Sequence, residues 1–216
     1  MTDTAIGKTA DDHFWSRVRS ALGALRPQRE RVPAYGQAAI ARSIGMKPKL
    51  GSRIEEELVA GWNRAASQHV SMSLLVLEID RFREYFTAYG KVATDETTID
   101  VMQIIANALP REGDTCLRLG RATFVVVLPD LPVLMARSTA KAIAEAIRKA
   151  GLAHKDSHAG CITLSMGLAV GNPRGNYDKK FFEAAAEALK KAQRKGMNRV
   201  EAVDLRPAQE KKRKAA

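Results

Sequence analysis

The sequence predicts an α+β fold, and three observations carry that prediction. Five short apolar runs read as strands, and amphipathic helical stretches separate most of them. Two of the runs, TCLRLG (115–120) and TFVVVL (123–128), are parted only by a short turn at Gly120–Arg121. Runs that close pair as an antiparallel hairpin, which a purely parallel α/β sheet does not contain. With 216 residues, 45% of them hydrophobic, the chain can bury a real core. That length suits one domain of ordinary size with extra chain, or two small ones.

The elements follow in order. Residues 1–10 carry no pattern. Asp11 or Asp12 then caps a stretch in which Phe14, Val18, Leu22 and Leu25 share one helical face, ending near Pro27. Residues 27–52, rich in Pro, Gly and basic side chains, read as a linker, and a helix is expected over 53–68. SLLVLEI (73–79) is apolar on both faces, as a central strand must be. Thr94 to Leu109 is a helix with Ile99, Met102, Ile105, Ala106 and Leu109 on one face. After the hairpin come a helix over 131–150, the strand CITLSMGLAV (161–170), a helix over 178–195 and a last strand over 198–203. From the first strand onward the order is β-α-α-β-β-α-β-α-β, without an internal repeat. The expected organisation is an N-terminal amphipathic helix and linker (1–50), a main domain (51–204) and a basic disordered tail (205–216).

Charge and composition exclude several functions. The net charge of +11 divides into +4 over residues 1–70, +4 over 71–203 and +3 over 204–216, so no single surface concentrates it. Aromatic residues make up 6%, too few for a base-stacking platform. Both facts argue against a nucleic-acid partner. No apolar run reaches the roughly 18 residues of a membrane span, and no secretory h-region is visible, so a cytoplasmic protein is expected. Two cysteines, Cys116 and Cys161, make neither a disulfide framework nor a zinc cluster and are expected as small buried side chains. No metal site and no required cofactor are expected.

Four stretches, in this order, resemble the GGDEF domain of bacterial diguanylate cyclases. EIDRFREYFTAYG resembles the family's DxDxFKxxNDxxGH segment, and RLGRATFVVVLPD its RxGGDEFxxxLP hairpin. ITLSMGLAV resembles its xxxSxGxA strand, and EALKKAQRKGMNRV its last helix and strand. The resemblance spans about residues 45–203. It implies a central five-stranded, mostly antiparallel sheet surrounded by helices. In active relatives, it further implies two facing domains, each holding GTP, and two metal ions that drive formation of cyclic di-GMP.

Carried across residue by residue, the resemblance implies a dismantled catalytic centre. The first-strand metal carboxylate falls at Glu78. The signature reads GRATF, Gly120 to Phe124, so its second glycine falls at Arg121 and its two acids at Ala122 and Thr123. The guanine-reading Asn falls at Phe86, while a later acid survives as Asp95. The two phosphate-holding cations of the last helix and strand fall at Gln193 and Met197. Arg118 matches the Arg before the signature, and Phe124, Ser165 and Gly167 match positions that build the sheet. A non-enzyme is therefore expected.

What survives is an RxxD, Arg111-Glu112-Gly113-Asp114, followed by the five residues TCLRL and then Gly120. That spacing resembles the family's inhibitory site for cyclic di-GMP. An arginine fork suits guanine O6/N7 or phosphate, and a carboxylate suits guanine N1–H and N2–H. The family's further cation on the following helix falls near Ala142, where Arg137 and Lys141 are the nearest substitutes. The leading expectation is a cyclic di-GMP receptor acting on a protein partner or as a homodimer. The alternative is a nucleotide-independent interaction scaffold on the same fold. A relict GTP-binding domain using Glu78, Asp95 and Arg121 is a third reading, which the lost phosphate cations oppose.

Overall fold

A computed structural model describes residues 50–207. The predicted helix around Phe14–Leu25, most of the 27–52 connection and the Lys211–Lys214 run lie outside the described residues. The compact unit that carries the sheet begins at Ile54.

Its elements are α1 (Leu50–Ser67), β1 (Met72–Ile79), α2 (Phe82–Asn107), β2 (Thr115–Arg118), β3 (Thr123–Leu128), α3 (Val133–Ala150), β4 (Leu164–Gly171), α4 (Lys180–Arg194) and β5 (Val200–Asp204). The strands form one sheet in the order β2-β3-β1-β4-β5. Three pairs are antiparallel, and β4 with β5 is parallel. The expected mostly antiparallel five-stranded sheet is present, with β1 at its centre.

The apolar run of β1 explains this position. Side chains alternate across a strand. Leu75, Leu77 and Ile79 enter one core with Val101 and Ile105 of α2 and Ala136, Ala140, Ile143 and Ile147 of α3. Met72, Leu74 and Val76 enter the other, with Ile54, Leu58, Trp62 and Ala65 of α1 and Phe181, Ala185 and Leu189 of α4. The sheet is thus covered on both faces.

Several boundaries differ from expectation. The helix expected over 94–109 begins at Phe82 and runs through a kink at Gly90, whose φ is +77°. That break interrupts the 3.6-residue apolar period, which is why the first two turns escaped the pattern. Its N-cap, Arg81, is left-handed at φ 51° with no side-chain cap, so no start signal precedes it. The strand expected from 161 begins at Leu164, because Cys161 pairs instead in an isolated bridge with Ala153. The expectation of two buried cysteines is also corrected: both are unpaired and only partly buried. Desolvation nonetheless pushes the Cys116 thiol up to about 12.

Asp80, just beyond β1, ties three segments together. Its buried carboxylate accepts from Thr163 Oγ1 at 2.7 Å, Ser165 Oγ at 2.6 Å and the Asn198 backbone N–H at 3.0 Å. Removing the acceptor leaves the buried Ser165 hydroxyl without a partner, at about 1–3 kcal/mol, and frees two part-buried donors at a smaller cost each. Asp80→Ala is therefore expected to lower stability by about 2–4 kcal/mol in a urea titration, with the denaturant slope unchanged. The chain leaves β5 still bonded to the sheet: Leu205 N–H donates to Val170 O at 2.8 Å, and Arg206 pairs with Asp204 at 2.8 Å.

Candidate functional site

The predicted residues centre on two regions at opposite ends of β2: the tip of the β2–β3 hairpin, and the turn that enters β2. At the tip, Leu119 N–H and Gly120 N–H both donate to Thr123 O, at 2.9 and 3.3 Å. Arg118 clamps the turn, with Nε donating to Gly120 O at 2.8 Å and Nη2 to Arg121 O at 3.1 Å. A Cβ at Gly120 would meet nothing nearer than Thr123 Oγ1 at 3.9 Å, so space does not require a glycine there.

Glu78 sits directly across from Thr123 in the β1–β3 ladder, and Thr123 Oγ1 donates to Glu78 Oε2 at 3.4 Å. Ala122 is buried, its backbone oxygen accepting from Ile79 N–H at 3.0 Å. Asp95 pairs with Lys91 one helical turn back, at 3.2 Å. Phe86 and Arg121 come together although they lie on different elements. The Arg121 guanidinium carbon stands 4.7 Å from the Phe86 ring centroid. A cation within about 6 Å of a ring face is attracted by its quadrupole, by about 0.5–1 kcal/mol at an exposed position. Gln193 is partly buried near the end of α4, and Met197 follows in the left-handed region at φ 64°. Among the described residues, no three His, Cys, Asp or Glu side chains gather as a metal-holding group.

At the second region the RxxD residues form one tight turn. Asp114 N–H donates to Arg111 O at 3.1 Å. Arg111 Nη2 meets Asp114 Oδ1 at 2.8 Å, and Nε faces Oδ2 at 3.5 Å. The same guanidinium donates to Pro129 O, and through Nη1 to Asp130 O at 3.3 Å. The Asp114 side chain is fully covered, while that of Arg111 is 36% exposed.

Arg137 and Lys141, the expected helper cations, are exposed on α3. Arg64 of α1 also stands beside the turn. Its Nε faces Asp130 Oδ2 at 3.4 Å, and its Nη1 lies 3.2 Å from where a Cβ on Gly113 would stand. Two guanidiniums therefore flank one turn. Nothing in the sequence marks Arg64, which lies on a helix remote in chain order.

With this geometry in view, comparison with known proteins places the chain. Residues 52–199 match the family model "Diguanylate cyclase, GGDEF domain". The chain belongs to the GGDEF family. It is 30% identical over 130 residues to the diguanylate cyclase DosC of Escherichia coli K12, covering 60% of this chain and 28% of DosC. The chain thus spans less than a third of that relative's length. Its fold is shared with the GGDEF domain of DgcB from Caulobacter crescentus, solved in complex with c-di-GMP. That match has a TM-score of 0.58 and 24% identity, covering 70% of this chain and 88% of the other. It is shared too with the diguanylate cyclase SiaD of Pseudomonas aeruginosa, solved with its activator SiaC. There the TM-score is 0.64 at 19% identity, covering 89% and 69%. Among the described residues no helix is long and apolar enough to cross a membrane.

Proposed function

We propose that this GGDEF-family chain is a catalytically inactive receptor for cyclic di-GMP. The ligand binds at the Arg111–Asp114 turn, and the bound state is passed to a protein partner or to a second copy of the chain. The observation that carries this reading is the turn itself. Arg111 and Asp114 are held side by side, and Arg64 brings a second cation next to Gly113. Cyclic di-GMP is a dianion bearing two guanines. Two guanidinium forks suit its phosphates and its O6/N7 edges, and the Asp114 carboxylate, fully covered in this state, suits its N1–H and N2–H once the turn opens. DgcB, of the same fold, is solved in complex with c-di-GMP.

Inactivity rests on the hairpin tip. The residues present do not fit the two metal ions of the family's chemistry. Glu78 holds the carboxylate at the ladder position, Ala122 offers a methyl group, and Thr123 offers a neutral hydroxyl. Asp80 is committed to three hydrogen bonds. For the receptor to signal, cyclic di-GMP must favour one state of the chain over another.

One observation favours the scaffold reading. Arg111 is engaged by Asp114 and by the carbonyls of Pro129 and Asp130, so a ligand must draw it away from these partners. Thermal unfolding separates the two. Cyclic di-GMP at about 100 times its Kd adds about 2.7 kcal/mol. In a chain of this size that raises Tm by about 5–10 °C. The shift is expected in the wild type and absent in Arg111→Ala. A well-folded wild type with no shift leaves the scaffold reading standing.

A further inference from the structure

We propose that the turn closed by Ala153 and Cys161 is a proton-released latch on the front of α2, with His154 and His158 as the groups that sense the proton. The latch is independent of the receptor reading and gives the domain a pH-dependent second state.

The front of α2 has to be held. Gly90, at φ +77° and ψ −177°, separates residues 82–89 from the rest of the helix. The segment follows Arg81, a non-glycine residue in the left-handed region at φ 51°, with no side-chain cap. Such a conformation persists only where the surrounding structure fixes it. Here one turn does so. A bridge between Ala153 and Cys161 closes the turn, and inside it His154 N–H donates to Gly160 O at 3.1 Å. From this turn His154 Nε2 faces Arg81 O at 3.3 Å, and Lys155 N–H donates to the Tyr89 hydroxyl at 3.0 Å. The Arg81 guanidinium reaches back, donating to Asp156 O at 3.0 Å and to His158 Nε2 at 2.8 Å. Tyr85 stacks on Tyr89 with ring centroids 4.5 Å apart and meets the His154 ring edge-on at 5.0 Å.

These contacts fix the proton count. A guanidinium only donates, so His158 Nε2 is the bare, accepting nitrogen. A carbonyl only accepts, so His154 Nε2 carries the hydrogen and its Nδ1 is bare. That Nδ1 is buried without a hydrogen-bond partner. Both rings are therefore neutral while the turn is latched. A proton on His158 removes the acceptor and sets two cations face to face. A proton on His154 creates a charged donor in a buried place that offers no acceptor. Among the described residues, the titratable and charged groups in contact with the two rings or with Arg81 are Tyr85 on α2 and Asp156 in the turn, and Asp156 acts through its backbone oxygen. Lys155 lies over the Tyr89 ring at 5.8 Å. The Asp80 carboxylate, next to Arg81 in sequence, already accepts from Thr163, Ser165 and Asn198. The released turn binds protons that the latched turn excludes, so falling pH favours release. Histidine is the side chain suited to such a change between about pH 5 and 8.

The test is hydrogen–deuterium exchange of the full chain at about pH 7.5 and about pH 5.5, with rates corrected for the intrinsic pH dependence of exchange. Wild-type peptides over 81–90 and 152–162 are expected to lose protection by about fivefold or more at the lower pH, while β1 and β4 keep theirs. In the double variant His154→Gln/His158→Gln, the amides can donate to Arg81 O and accept from its guanidinium without titrating. It is expected to hold its protection within about twofold across the same pH change. Wild-type segments that stay equally protected at both pH values overturn the latch. So does a folded double variant that loses protection as the wild type does. A loss that extends equally to β1 and β4 is global acid unfolding and overturns it as well. Should the double variant fail to fold, His158→Gln decides alone, at a position exposed on the surface. A smaller loss than in the wild type is then expected, and an equal loss overturns the inference.

Discussion

Incubated with GTP and Mg²⁺ or Mn²⁺, the purified protein is expected to release no cyclic di-GMP above an enzyme-free blank. Phosphoryl transfer of this kind is positioning plus electrostatic stabilisation, so each missing charge acts on the barrier directly. Losing one such group costs on the order of 10²–10³ in kcat. On the proposed reading, a buried alanine, a threonine and a phenylalanine stand where the family resemblance places three such groups, at Ala122, Thr123 and Phe86. Restoring the acids alone, as Ala122→Asp/Thr123→Glu, is expected to leave the protein silent. Arg121 still covers Phe86, and the new aspartate must ionise at a position that is 3% exposed. Product from that double variant would show that the acids alone were missing.

The second large effect is structural. Gly167 lies in β4 directly under α4. A Cβ there would come within 2.0 Å of Ala185 O and 2.2 Å of Leu189 N. Both are backbone atoms in the middle of a helix, so no side chain can turn aside. The helix must lift from the sheet, opening a core that holds Phe181, Ala185 and Leu189. Overpacking costs typically about 1–3 kcal/mol and more where the neighbour is rigid. Gly167→Ala is expected at the top of that range, lowering Tm by about 6–12 °C. A calorimetric Tm within a degree of wild type would mean that α4 slides freely over β4.

Much of this was legible in the sequence. Continuous apolar character placed β1 at the sheet centre, because only a strand covered on both faces lacks a polar side. The short gap between two strand-like runs fixed the hairpin. Spacing put Arg111 and Asp114 on one turn, and a turn is a local feature. What failed was either unsignalled or long-range. The first turns of α2 follow an uncapped left-handed residue and precede a kinked glycine, so neither a start signal nor an unbroken period announced them. Arg64 reaches the RxxD turn because α1 packs beside the hairpin, and sequence spacing carries no record of that. The contact between Phe86 and Arg121 was hidden for the same reason. Each residue read separately as a loss, while the fold makes the two a pair.

The central claim is that the Arg111–Asp114 turn binds cyclic di-GMP. Isothermal titration of cyclic di-GMP into the wild type and into Arg111→Ala tests it most directly. The account predicts saturable heat at micromolar affinity or tighter in the wild type, and none in a variant that remains folded. Equal binding by both proteins, or no heat from a folded wild type, would contradict it.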